Sequence, residues 1–235
     1  MLKLIKLEWQ KNNIKKYIRN AVILAIVLCV FVFAFAYLGI ANDPDTGVPD
    51  TVNGYSGISA AIELFTSMSF LVFTSVMLSA FIVSAYKNKT MNLMFSYPIK
   101  RQRILISQML AVWIFNFITL VLTKLLLYAC VLIGSYFMVS SFSIDFQMTS
   151  VGFYIQLLTK SIVIVTMSFI ALFIGMAMKS SKATIISSFL LIVLTQANIG
   201  DFTMSNNIVF PIGLTLISII FAFLSIYGIE KKDLI

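Results

Sequence analysis

Histidine is absent from this 235-residue chain. Its absence removes the side chain most used as a general base near neutral pH and the commonest metal ligand, and with them any zinc-protease motif. Charged residues make up only 11% of the sequence, against about 25% in an ordinary soluble domain. A chain so poor in charge belongs in a bilayer, not in water. Cysteine occurs twice, as Cys29 and Cys130, each inside an apolar stretch, which argues against a disulfide framework and for a packing role. No G-x-x-x-x-G-K-[ST] phosphate loop is present, so the chain has no nucleotide site of that kind. These gaps count against an enzyme. Soluble chemistry must come from a partner.

What is abundant is apolar sequence: 60% of residues, with a mean hydropathy of +1.00. A hydrocarbon core of ~30 Å needs about 20 helical residues, and six runs meet or approach that length. They cover about 21–40, 58–86, 104–139, 153–178, 183–199 and 208–229. The third, if helical throughout, is about 50 Å long at 1.5 Å per residue, too long for one crossing and short for two plus a turn. It reads as one helix whose first turns lie at the cytoplasmic surface. Pro211 falls in the opening turn of the sixth run, where a missing amide donor does least harm. The expected fold is an all-α membrane protein. Residues 1–20 form an amphipathic interfacial helix, and residues 21–235 a six-span domain that leaves no room for a soluble catalytic one.

The cations orient it, because Lys and Arg near span ends stay on the cytoplasmic side. Lys3, Lys6, Lys11, Lys15, Lys16 and Arg19 precede the first run, and Lys87, Lys89, Lys100, Arg101 and Arg103 lie between the second and third. Lys179 and Lys182 join the fourth and fifth, and Lys231 and Lys232 close the chain. The opposite connections hold Asp43, Asp45, Asp50, Asp145 and Asp201 and no cation. Both termini are therefore expected in the cytoplasm. The net charge of +8 is mostly this asymmetry, and a nucleic-acid partner is not implied.

The opening "MLKLIKLEWQKNNIKKYIRN" places Leu4, Leu7, Ile14 and Ile18 at helical spacing, with Lys11 on the same stripe, while Lys6, Asn13, Lys16 and Asn20 face elsewhere. Such a helix lies in the headgroup layer, with Trp9 and Tyr17 near the boundary, and then turns into the first span.

The longest cytoplasmic connection, 87–103, reads "KNKTMNLMFSYPIKRQR". Thr90 can cap a short helix carrying Met91, Leu93, Met94 and Phe95, and Pro98 disfavours helix just before it. An apolar cluster in a water-facing loop points to burial against a partner. With six spans and an amphipathic helix at its start, the chain resembles the membrane subunit of an ABC-2 type ABC transporter. In that family a "T…L…S.P..R..I" pattern leads into the third span, and it is matched here by Thr90, Leu93, Ser96, Pro98, Arg101 and Ile104. Two positions depart from the family's habit: Lys89 replaces a glycine and Gln108 a lysine.

The resemblance implies a permease that pairs with a second permease chain, like or unlike, each resting on a separate ATPase subunit that holds ATP and Mg. The segment from Thr90 to Tyr97 would be a coupling helix, with Leu93, Met94 and Phe95 entering a groove of the ATPase. Ser96, Tyr97 and Pro98 would end it, and Arg101, with Lys100 and Arg103, would sit at the anionic inner surface. Small members without a large external domain are similar to exporters of bacitracin, lantibiotics or amphipathic toxin peptides, often serving self-immunity.

Three ionisable residues lie inside the runs, where charge is expensive enough to suggest function: Glu63, Lys124 and Lys160. All three are expected in the outer half, so Glu63 can pair with Lys124 or with Lys160; Glu63 and Lys160 can instead reach the outer headgroups. Phe70, Phe73 and Met77 read as packing or lipid contact rather than a ligand path. Two other classes compete with an exporter. One is the membrane substrate-binding module of an energy-coupling transporter, although its small-residue docking stripe would have only Ala21 and Ala25 here. The other is a channel or immunity protein working without ATP.

Overall fold

The computed structural model describes residues 2–37, 51–52, 55–87, 101–137, 148–196 and 209–232. The chain opens with a short helix, α1 (Leu2–Lys11), which ends at Asn12–Asn13. Asn13 adopts φ 49°, a left-handed conformation that asparagine tolerates better than most residues. The Glu8 carbonyl accepts from both the backbone amide and the side-chain amide of Asn12, each at 3.1 Å, which closes the last turn of α1. The chain then re-enters helix as α2 (Ile14–Tyr37), so Ile14 to Asn20 form the first turns of the long helix rather than the tail of the amphipathic one.

A two-residue antiparallel ladder, β1 (Thr51–Val52) with β2 (Tyr55–Ser56), leads into Gly57, whose φ of 58° suits glycine. There α3 begins: α-helical over Gly57–Leu78, wide-turned over Ser79–Val83 and α-helical again over Ser84–Lys87. The third apolar run is one uninterrupted helix, α4 (Arg101–Phe137), of 37 residues or about 55 Å. Ser150 caps α5 (Val151–Ala177) by accepting from the Phe153 amide at 3.3 Å. A tight turn joins α5 to α6 (Ser181–Gln196), and α7 (Val209–Lys232) carries Pro211 in its first turn.

Four of these helices are long and apolar enough to cross a membrane, over Ile14–Phe35, Gly57–Tyr86, Gln102–Ser135 and Val151–Ala177; α6 and α7 carry shorter apolar stretches, Ser181–Val193 and Ile212–Tyr227. The chain is an all-α membrane protein. Its interior is where the polar side chains are: Thr66, Ser75, Gln108, Asn116, Ser161, Ser168, Thr184 and Ser188 are buried, while Val22, Ile23, Ile26, Val27 and Val30 of α2 are exposed, as lipid contact requires. Most buried hydroxyls donate to a carbonyl one turn back, for example Thr66 to Ile62 at 2.6 Å and Ser161 to Leu157 at 2.6 Å.

Helices α3, α4 and α5 form the centre, α6 and α7 pack on α5, and α2 sits at the margin against α3 and α4. Two apolar clusters stack along the bundle. One joins Leu28 and Val32 of α2 to Ile62 and Phe70 of α3, Leu127 and Tyr128 of α4 and Ile164 of α5. The other joins Met77 to Val83 of α3 with Leu105 and Met109 of α4 and Leu172 of α5. Glycine sets two close approaches: a Cβ on Gly134 would stand 2.7 Å from the Phe33 ring, and one on Gly175 would overlap the Thr184 hydroxyl. The second brings α6 against α5, a contact typical of small residues between membrane helices.

Candidate functional site: a buried charge cluster across three helices

Glu63 stands on the seventh residue of α3, Lys124 two-thirds of the way along α4, and Lys160 on the tenth residue of α5. Measured along the helices, they lie about 9, 20 and 13 Å from Gly57, Phe137 and Val151 respectively. The structure brings Glu63 and Lys124 together. The Lys124 Nζ donates to both carboxylate oxygens of Glu63, at 2.7 Å to Oε1 and 2.8 Å to Oε2. Lys124 is 0% exposed, Glu63 9% and Lys160 8%, so the cluster is closed to bulk solvent. Lys160 lies within electrostatic reach of both, attracted by Glu63 and repelled by Lys124.

Two ammonium groups against one carboxylate give the cluster a formal charge of +1. Burying any of these ions alone costs several kcal/mol, and each helix therefore depends on the other two to keep its charged residue. Hydroxyls crowd the same level: Ser59 and Thr66 on α3, Thr123 on α4 and Ser161 on α5 are all buried. The chemistry available is ionic and hydrogen-bonding. The arrangement ties the three central helices at one end of the bundle.

A second polar junction lies toward the other end, where α1 docks on the beginning of α4. The Trp9 indole donates to the Ala111 carbonyl at 3.0 Å, and the Gln108 amide donates to Glu8 Oε1 at 3.3 Å. Asn12 donates to Glu8 Oε2 at 3.3 Å, so both carboxylate oxygens are engaged. Hydrophobic periodicity did not single out Glu8. The signal was the stripe Ile5, Glu8, Trp9, Asn12 at i, i+3, i+4 and i+7, with one acid among the cations of the segment. Leu7 and Ile18, of the apolar stripe, are 57% and 47% exposed.

Thr90, Leu93, Met94, Phe95, Ser96, Tyr97 and Pro98 lie outside the described residues, and Arg101 is the first residue of α4. Phe70 and Met77 are buried in the two apolar clusters, and Phe73 packs against the first.

The chain is 27% identical to a Bacillus subtilis (strain 168) protein named "Uncharacterized protein YcbO", over 99% of this chain and the whole of that one. No family model matches the chain. No solved structure matches it.

Proposed function

We propose that this chain is the permease subunit of an ABC-2 type exporter in the bacterial cytoplasmic membrane, moving hydrophobic or amphipathic substrates, chiefly peptides. In this reading six helices, α2 to α7, cross the bilayer with both termini in the cytoplasm. Two permease chains assemble with separate ATPase subunits, which bind ATP and Mg. The observation that carries the reading is the convergence of two elements on one end of α4. The family-like pattern from Thr90 to Ile104 runs directly into that helix, and α1 is fastened to it through Trp9 and Glu8. A displacement of the connecting segment by an ATPase would reach α4 and α1 together. At the far end Glu63, Lys124 and Lys160 hold α3, α4 and α5 to one another, so a push at the cytoplasmic side tilts the bundle about a fixed outer point.

The test separates coupling from insertion. In Leu93→Asp/Phe95→Asp the cations that set topology are unchanged, while acidic groups enter the contact surface. Co-purification with the ATPase should fall sharply and peptide-stimulated ATP hydrolysis should disappear, with the spans still inserted. Normal ATPase binding and export by the double variant would refute the assignment.

A further inference from the structure

Cys29 and Cys130 are the only cysteines of the sequence. Far apart in the chain, they face each other across the seam between α2 and α4, close enough for the two side chains to interact. The packing gives the same register independently. One turn further along each helix, the Phe33 ring lies over Gly134, close enough that a Cβ there would come within 2.7 Å of Phe33 Cε2. Beside the pair, Leu28 and Val32 of α2 share one core cluster with Leu127 and Val131 of α4. The two helices therefore run parallel, with 29 facing 130 as 33 faces 134. The depths match as well, about 12 Å before the end of α2 and about 10 Å before the end of α4.

Both thiols are free and half-buried. Their neighbours Val30, Phe31 and Ile133 are exposed apolar side chains on the lipid side of the seam. Among the described residues no group of three or more His, Cys, Asp or Glu forms, so the pair is not part of a larger metal site. The pair borders lipid-facing side chains within two membrane-spanning helices, so water-soluble thiols such as glutathione have no easy route to it. An oxidant dissolved in the bilayer has one.

We propose that Cys29 and Cys130 form a reversible oxidation site, a dithiol that closes to a disulfide when it meets a membrane-soluble quinone. The step balances: two S–H bonds break and one S–S bond forms. The two protons and two electrons released go to the carbonyl oxygens of the quinone, leaving a hydroquinone. The product pins α2, the marginal helix of the bundle, to α4. This holds whatever the chain transports.

The experiment uses the full chain in membrane vesicles. The probe is duroquinone, whose four ring methyls block addition of a thiol to the ring. After treatment the protein is denatured in SDS, its free thiols are tagged with a maleimide-polyethylene glycol, and the tags are counted by gel shift. The untreated chain should carry two tags, the treated chain none, and the treated chain reduced with dithiothreitol two again. Cys29→Ser and Cys130→Ser should each carry one tag before and after quinone. Two tags on the treated wild-type chain would overturn the proposal. So would loss of the tag in either single variant, or a covalent dimer in place of the monomer.

Discussion

Replacing Lys124 with methionine removes the most completely buried charge among the described residues at nearly constant side-chain length. Two charge-assisted hydrogen bonds, of 2.7 and 2.8 Å, disappear with it. Glu63 keeps its place in the interior and loses the partner that met both of its oxygens. Breaking a buried ion pair in this way destabilises by about 3–5 kcal/mol. Lys160 is within reach of the abandoned carboxylate and takes over part of the compensation, so the lower end, about 3 kcal/mol, is expected for Lys124→Met. That corresponds to roughly a 100-fold shift in the folding equilibrium.

The arithmetic of the cluster then ranks the other variants. Glu63→Gln leaves two buried ammonium groups facing each other without a carboxylate and should be the most damaging single change. Lys160→Met leaves a neutral, bidentate Glu63–Lys124 pair and should be the mildest, neutral or slightly stabilising. The double variant Lys124→Met/Glu63→Gln should lose less than the sum of its parts, by about 2 kcal/mol of coupling. Equilibrium unfolding of the purified protein in mixed detergent–SDS micelles measures all four. Strict additivity, or a Lys160→Met defect as large as that of Lys124→Met, would refute the pairing logic.

Cysteines introduced at Asp50 and Asp145 of a Cys29→Ser/Cys130→Ser background should react with an impermeant maleimide from outside, and one at Lys182 only after permeabilisation; external labelling at Lys182 would break the six-span topology. Gly175→Ala should destabilise by about 1–3 kcal/mol through overlap with Thr184, and adding Thr184→Ala should recover part of the loss in the same unfolding assay. Trp9→Phe keeps the ring and deletes the hydrogen bond to Ala111, for a loss of about 1 kcal/mol; limited proteolysis should then cut between α1 and α2 faster than in the wild type.

The membrane class and the starts of most helices were legible in composition and hydropathy, because an apolar run of sufficient length has few other fates. The unbroken α4 was legible from length alone, since 104–139 is an awkward size for two crossings. The partner of Glu63 was not. Choosing between Lys124 and Lys160 needs the rotational phase of three helices relative to one another, which no single run of sequence carries. The meeting of Cys29 with Cys130 escaped for the same reason: each looks like one more small apolar residue until the register of α2 on α4 is known. The docked face of α1 escaped for a different reason. Hydrophobic periodicity marks the oily stripe, Leu4, Leu7, Ile14 and Ile18, but in a bilayer oil can face outward, and α1 meets α4 through a glutamate, an indole and an amide instead. The connection carrying Thr90 to Pro98 lies outside the described residues, so its part in the coupling proposal rests on sequence.

The wide turn of α3 over Ser79–Val83, where the Ser84 amide reaches back to the Ser79 carbonyl, places one residue more in that turn than an α-helix would hold. Each residue of an α-helix advances about 100° around the axis, so a surplus residue would turn everything that follows by that angle, but here the widened turn takes it up and closes on the fifth residue instead of the fourth. The two halves of α3 therefore keep a common phase despite the extra residue: the half bearing Glu63 faces α4 and α5, and Ser84–Lys87 leaves for the next connection on the side it would take in a helix one residue shorter. Deleting a single residue here, Ala80 for instance, would restore regular winding, the bond then spanning four residues instead of five, and would leave both the exit and the charge cluster aimed nearly as they are. Alignments of relatives should accordingly tolerate a one-residue gap at this point and nowhere else along α3, with the exit aimed alike in those that have lost it.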